Sequence, residues 1–139
     1  MFTLTGPGGA GKTRIALHAA AELLDEFRHG AFLVDLALVR DPAHVVPTIA
    51  QTLSVKEGAG RSLREALGEF LRERELLLVL DNFEHVVEAA PDVTGLLLQA
   101  PSVKTLIASR APMRVSAEHE YPVPELAEPW FRLAFAHMQ

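Results

Sequence analysis

The sequence predicts an α/β fold in which a mostly parallel five-stranded sheet carries helices on both faces. Three observations support this prediction. Short apolar runs alternate with amphipathic helical segments, the runs in mid-chain are apolar almost throughout, and a glycine-rich segment joins the first run to the first helix. Right-handed crossovers between parallel strands place the helices on both faces. The 139 residues suit one compact domain with its own core.

Five short runs predict the strands. They are residues 2–5, 31–37, 76–80, 103–109 and 120–123. The second and third runs contain almost no polar residues, which is typical of strands covered on both faces. Pro122 and Pro124 confine the last run to an edge of the sheet, because proline has no N–H to donate within a central strand.

Four longer segments predict the helices. They are residues 12–28, 42–53, 62–73 and 84–99. Gly30 suits the position after the first helix, where a left-handed backbone is common. Asp41 is the expected N-cap of the second helix, and Ser62 with Glu65 forms a capping-box pattern at the third. We expect the fourth helix to be interrupted near Pro91.

Residues 6–13 fit a phosphate-binding loop. They match the pattern G-x-x-x-x-G-K-[ST] and read Gly6, Pro7, Gly8, Gly9, Ala10, Gly11, Lys12 and Thr13. In such a loop the backbone N–H groups and a helix N-terminus surround a polyphosphate. Lys12 would reach the β- and γ-phosphates, and the Thr13 hydroxyl would bind Mg²⁺. The alternative is a glycine-rich turn that caps an ordinary helix.

Two further residues are expected beside this loop, because ligands of parallel sheets bind at the carboxyl ends of the strands. Asp81 follows the apolar run 76–80 and is the candidate that holds Mg²⁺ through water. Its alternative role is to end the strand in a turn or to cap the next helix. Arg110 follows the fourth strand and could contact the γ-phosphate with its guanidinium group, whereas a surface salt bridge is the alternative.

The residues after Asp81 indicate slow hydrolysis. Many ATPases of this type place a second acid directly after the metal-binding Asp, but here that position is Asn82. An amide can align water by hydrogen bonding but cannot accept its proton. Glu84 could substitute as a catalytic acid, or it could serve only as a first-turn helix acid. Arg14 and Arg114 are additional candidates for phosphate binding.

Composition excludes several classes of function. The chain has no cysteine, which rules out disulfides and thiolate-based metal sites. Its net charge of −5 provides no general attraction to nucleic acid, so we expect no direct nucleic-acid binding. No apolar stretch is long enough to span a membrane and no signal peptide is evident, so we expect a cytoplasmic location. The guanine-reading [NT]-K-x-D pattern is absent, which favours adenine by exclusion.

Five segments together resemble the nucleotide-binding core of the STAND-class P-loop ATPases: GPGGAGKTRIAL, AFLVDLALVRDP, LLLVLDNFEH, TLIASRAPMRV and EHEYPVPEL. They are most similar to the NB-ARC-like module of bacterial, actinobacterial-type transcriptional regulators, over residues 2–126. The resemblance implies a three-layer sandwich with strand order 2-3-4-1-5, and ATP or ADP as the ligand. It also implies a signalling switch in which the ADP form is closed and ATP allows self-association. By position, residues 6–13 would hold phosphates, Asp81 the Mg²⁺, and Arg110 would sense the γ-phosphate.

The same resemblance predicts how the chain is organised. Residues 1–126 would form the nucleotide-binding domain, and residues 127–139 a tail that starts a following domain. Related regulators carry an effector domain upstream of this core and continue into a helical domain with a G-x-P motif, so we expect a truncated core whose partners are those domains. Two alternatives stay open: a non-enzymatic remnant or interaction module, and a small phosphotransferase with residues 61–74 as its lid.

Overall fold

A five-stranded, fully parallel sheet forms the centre of the molecule, in a computed structural model that describes residues 1–6, 11–115 and 118–122 (backbone alone for the last two). The strands are β1 (Phe2–Thr5), β2 (Ala31–Asp35), β3 (Leu77–Asp81), β4 (Lys104–Ser109) and β5 (His119–Pro122). Their order is β2-β3-β4-β1-β5, and every neighbouring pair runs parallel. The predicted α/β fold and strand order are therefore confirmed.

Helices cover both faces of the sheet. The α-helices are α1 (Lys12–Leu23), α2 (Val45–Thr52), α3 (Leu63–Arg72) and α4 (Ala90–Leu97), with 3₁₀ segments at Leu24–Glu26, Pro42–His44 and Phe83–Ala89. Helix α1 packs on one face of the sheet, and α2, α3 and α4 pack on the other. None of the helices in the described ranges has the length and apolar character needed to cross a lipid bilayer.

Strand β3 is covered on both faces, which explains why its sequence is continuously apolar. Leu77 and Val79 pack with α1, whereas Leu78 and Leu80 pack with the three helices of the opposite face. All four side chains are buried. Because each buried Leu or Val contributes about 1.5–3 kcal/mol of hydrophobic stabilisation, both faces of β3 hold the layers together.

The first helix ends earlier than predicted. Its α-helical part stops at Leu23 and one 3₁₀ turn follows, so the expected helix end at residue 28 is wrong. Phe27 adopts an extended backbone and buries its side chain in the core on the α1 side of the sheet, which draws the chain out of the helix. Gly30 therefore does not follow a helix directly. It lies in the turn before β2 with φ +88°.

The other helix ends give two confirmations and one correction. Ser62 Oγ accepts the Glu65 N–H at 3.1 Å, as the capping box predicts, and the same hydroxyl donates to Glu65 Oε1 at 3.2 Å. Asp41 caps the 3₁₀ segment Pro42–His44 that leads into α2. The predicted interruption at Pro91 is wrong, because the break lies at Val86 (φ −135°, ψ 35°). Pro91 occupies the first turn of α4, where no backbone N–H donor is needed.

Strand β5 pairs with β1 at the edge of the sheet, as its prolines predict. Glu118, directly before this strand, anchors it to β1 and to the loop that follows β4. Its carboxylate accepts the Thr3 hydroxyl at 2.5 Å and the N–H groups of Met113 at 2.7 Å and Arg114 at 3.0 Å. Residues 123–139 lie outside the described residues, so the division at residue 126 stays a prediction.

Candidate nucleotide-binding site

The predicted site residues meet at the carboxyl edge of the sheet. Helix α1 begins next to the end of β1, and Gly11 takes a left-handed backbone (φ +82°) immediately before it. The chain there borders a cleft of about 380 Å³, lined by Gly11, Lys12, Thr13, Arg14, Asp81, Asn82, Glu84, Ala108 and Arg110. Pro7, Gly8, Gly9 and Ala10, also predicted to bind phosphate, lie outside the described residues.

Lys12 contacts Gly6, the residue that follows β1. Its side chain is 8% exposed, and Nζ donates to the Gly6 carbonyl at 2.8 Å. Because the Lys12 side chain is nearly buried beside the cleft, its ammonium group lies close to any ligand that the cleft holds. This placement suits binding of a polyphosphate anion.

Thr13 and Asp81 form a single unit across the cleft. The Thr13 hydroxyl donates to the Asp81 carboxylate, 2.8 Å from Oδ2 and 3.0 Å from Oδ1. Asp81 is 5% exposed and also accepts the Asn82 N–H at 3.0 Å. A hydroxyl and a carboxylate are hard oxygen ligands, and Mg²⁺ in phosphate sites usually binds one or two carboxylates besides phosphates and water. The donor set therefore fits Mg²⁺.

No larger metal cage competes with this arrangement within the described part of the chain. Among the described residues, no three or more His, Asp or Glu side chains come together in a way that could hold an ion. A site with few protein oxygens is what Mg²⁺ tolerates, since it dehydrates reluctantly and keeps several waters.

Asp35 is a site neighbour that sequence reasoning missed. It pairs in register with Asp81 at the end of the adjacent strand, and its Oδ1 accepts the Asn82 side-chain amide at 3.0 Å. Asn82 was expected to align water, but the structure places its amide nitrogen on Asp35. The signal in the sequence was that Asp35 ends the apolar run AFLV, much as Asp81 ends the next one. The predicted strand instead continued to residue 37.

Glu84 and Arg110 face each other inside the cleft. Arg110 Nε lies 3.6 Å from Glu84 Oε1, and the Glu84 side chain is 13% exposed whereas that of Arg110 is 63% exposed. Glu84 Oε2 is buried and has no hydrogen-bond partner among the described residues. The structure thus brings together the predicted sensor and the predicted catalytic acid as a pair, which the sequence did not indicate.

Comparison with known proteins identifies the family. A family model described as an AAA domain matches residues 1–114. The chain belongs to the AAA family of P-loop domains. Gly11, Lys12, Thr13 and Asp81 line the carboxyl-edge cleft of this AAA domain, where nucleotides bind in open α/β sheets.

Curated relatives of the AAA domain are longer proteins. One from Mycobacterium tuberculosis, named "Putative HTH-type transcriptional regulator", is 37% identical over 128 residues, which cover 91% of this chain and 14% of the relative. An uncharacterized M. tuberculosis protein is 34% identical over 128 residues, covering 91% of this chain and 33% of the relative. The chain thus spans from a seventh to a third of the length of these relatives.

Solved structures share the fold of the AAA domain. Cdc6p from Pyrobaculum aerophilum aligns with a TM-score of 0.56 and 19% identity, over 87% of this chain and 39% of that one. The Aeropyrum pernix ORC2 protein aligns with a TM-score of 0.52 and 17% identity, over 87% and 40% of the two chains. At these identities the likeness concerns the fold alone.

The two remaining arginine candidates differ in position. Arg14 lines the cleft of the AAA domain from the first turn of α1. Arg114 is absent from the described lining, and its N–H donates to Glu118 at 3.0 Å. Of the two, Arg14 is the one placed to approach a phosphate.

Proposed function

We propose that this AAA domain binds ATP and ADP with Mg²⁺, hydrolyses ATP slowly, and acts as the nucleotide-dependent switch of a STAND-class, NB-ARC-like regulator. The observation that carries the proposal is the contact between Thr13 and Asp81 at 2.8 Å, within the cleft that Lys12 also lines. Three chemically distinct requirements of a Mg²⁺–nucleotide site, a cation, a hydroxyl and a carboxylate, therefore meet in one place.

Binding of the phosphates would rest on residues 6–13. The Lys12 ammonium, now donating to the Gly6 carbonyl, can give charge-assisted hydrogen bonds to phosphate oxygens. The N-terminus of α1 adds the positive end of the helix dipole. Arg14 and Arg110 line the same cleft and add positive charge for the outer phosphates.

Thr13 and Asp81 would hold the metal ion through the hydroxyl and the carboxylate. When bound, Mg²⁺ neutralises negative charge on the phosphate oxygens and helps to position them for transfer. Asn82 supports this role, because its backbone N–H donates to Asp81 Oδ1 and limits rotation of the carboxylate.

Slow hydrolysis follows from the identity of the acids at the cleft. Asp81 and Glu84 carry the carboxylates of the described lining, and Asp81 serves the metal in this proposal. Glu84 is then the candidate to orient the attacking water, but its Oε1 lies against Arg110. Because this oxygen faces a guanidinium group, it is not free to align an attacking water, so turnover is expected to be low.

The regulatory part of the proposal rests on the named relatives. The chain covers 14% of a relative named for an HTH-type regulator, so most of such a protein lies outside the aligned region. We propose that a cytoplasmic regulator of this kind couples nucleotide exchange in the AAA domain to other domains and to self-association. DNA contact would belong to those other domains, since this chain carries a net charge of −5.

Calorimetric titration of the chain with ADP and ATP, each with and without Mg²⁺, tests the proposal. We expect Mg²⁺-dependent binding of both nucleotides well below millimolar concentration and slow phosphate release from ATP without an added acceptor. Absence of binding below millimolar would overturn the proposal and favour a non-enzymatic interaction module. Phosphate transfer that requires a small-molecule hydroxyl acceptor would instead indicate a phosphotransferase.

A further inference from the structure

We propose that Glu84 makes this site prefer ADP to ATP, because it competes with the γ-phosphate for Arg110. The inference rests on the proposed nucleotide site and names the residue that sets its choice between two ligands. In the structure, Arg110 Nε lies 3.6 Å from Glu84 Oε1, and both side chains line the cleft that Thr13 and Asp81 border.

The two partners differ in freedom of movement. The Glu84 side chain is 13% exposed and belongs to the first turn after the left-handed Asn82, so its position is set by packing. The Arg110 side chain is 63% exposed and follows the end of β4. The Arg110 side chain can therefore turn towards a ligand, whereas the Glu84 side chain keeps its position.

Loss of Arg110 is unfavourable for Glu84. Its Oε2 atom is already buried without a hydrogen-bond partner among the described residues, and Arg110 faces its other oxygen. A carboxylate that is largely shielded from solvent carries a poorly compensated charge once its cationic neighbour leaves, which costs free energy. Any ligand that draws Arg110 away binds more weakly by that amount.

The effect differs between the two nucleotides. A diphosphate can occupy the loop and leave Arg110 on Glu84, whereas a triphosphate presents an additional anionic group that attracts the guanidinium. The exchange between Glu84 and the γ-phosphate therefore weakens ATP binding and leaves ADP binding nearly unchanged. Such a difference between two ligands is what biases an equilibrium between two states.

The substitution Glu84→Gln tests this inference, because it removes the charge and keeps the shape of the side chain. We expect affinity for a non-hydrolysable ATP analogue to rise about 5-fold or more, within the usual range of coupling between sites. We expect ADP affinity to change less than about 2-fold on the same scale. Glu88→Gln is the matched control, since Glu88 is exposed on the same 3₁₀ segment and is absent from the described cleft lining.

A double-mutant cycle with Arg110→Ala separates competition from simple repulsion. Competition predicts that Glu84→Gln no longer improves binding of the ATP analogue once Arg110 is absent. If Glu84→Gln improves binding equally in both backgrounds, Glu84 repels the γ-phosphate directly and the inference is wrong. Arg28→Ala controls for the change in net charge, since Arg28 is exposed and lies shortly before β2, at the amino end of that strand.

The outcomes also separate this inference from the proposed function. If the wild-type chain binds neither nucleotide, both fail. If it binds ADP with Mg²⁺ dependence but Glu84→Gln leaves the ratio of ATP to ADP affinity within 2-fold, the nucleotide site stands and the inference alone is overturned. Thermal unfolding of each variant verifies that the protein used in the titration is folded.

Discussion

The Thr13 hydroxyl lies 2.8 Å from the Asp81 carboxylate, although 68 residues separate them along the chain. Thr13 is in the first turn of α1 and Asp81 ends β3, and these two elements are brought together by the parallel sheet and the helix that covers it. The fold thus places a hydroxyl and a carboxylate from two separate motifs side by side. The properties of this pair can be tested by substituting the carboxylate alone.

Substitution Asp81→Asn should remove most of the Mg²⁺ dependence of nucleotide binding. The amide keeps an oxygen that can accept the Thr13 hydroxyl but lacks the negative charge that attracts a divalent cation. The measurement is ADP affinity in Mg²⁺ and in EDTA, with Asp25→Asn on the exposed end of the first helical segment as the control. An unchanged Mg²⁺ dependence would contradict the metal role of Asp81.

Substitution Lys12→Ala should weaken ADP binding on the order of 10-fold or more, because it removes the charge that we propose faces the β-phosphate. Titration calorimetry gives the affinity. Lys56→Ala, an exposed lysine in the connection before α3, is the matched control. Equal affinities for the two variants would show that residues 6–13 do not bind phosphate as proposed.

The features that could be predicted from the sequence are those set by local residue patterns and by the rule that parallel sheets bind ligands at the carboxyl ends of their strands. The glycine loop and Asp81 could be placed together because each follows a recognisable strand, and ligands of such sheets bind at strand ends. The pair Glu84 and Arg110 could not be predicted, since it depends on the left-handed turn at Asn82 (φ +61°) that directs the chain after β3. A contact set by one backbone angle and by packing leaves no periodic signal.

Errors at the helix ends have a similar origin. Proline suggested a break at residue 91, but a proline in a first helical turn is compatible with the helix that it begins. The actual break at Val86 carries no breaker residue, and this buried valine packs with the large hydrophobic core. Tertiary packing sets that boundary. The capping box at Ser62 could be predicted from the sequence, because its hydrogen bonds are local.

Asn82 should contribute to stability through both its backbone and its side chain. Its left-handed backbone is unfavourable for alanine by about 1–2 kcal/mol, and its hydrogen bond to Asp35 is worth about 1 kcal/mol. We therefore expect Asn82→Ala to lower the free energy of unfolding by about 2 kcal/mol or more. Asn82→Gly, which tolerates the backbone angle, should cost about half as much. Urea unfolding compares the two, and equal losses would show that the backbone angle has no influence.

Glu118 should stabilise the sheet edge far more than its neighbour Glu120. The carboxylate of Glu118 accepts three hydrogen bonds, from Thr3, Met113 and Arg114, whereas Glu120 accepts one at 3.3 Å from Thr5. In Glu118→Gln one oxygen becomes an N–H₂ group that cannot accept, so at least one of these donors loses its partner.

Since hydrogen bonds to a charged group contribute about 1.5–3 kcal/mol, we expect Glu118→Gln to reduce the free energy of unfolding by about 2 kcal/mol. The matched variant Glu120→Gln should cost less than about 0.5 kcal/mol, because it alters one long contact made by an exposed residue. Urea unfolding measures both values, and amide hydrogen exchange at Met113 and Arg114 should accelerate in the first variant alone. Similar losses in the two variants would mean that Glu118 does not anchor β5 to β1 and to the loop after β4.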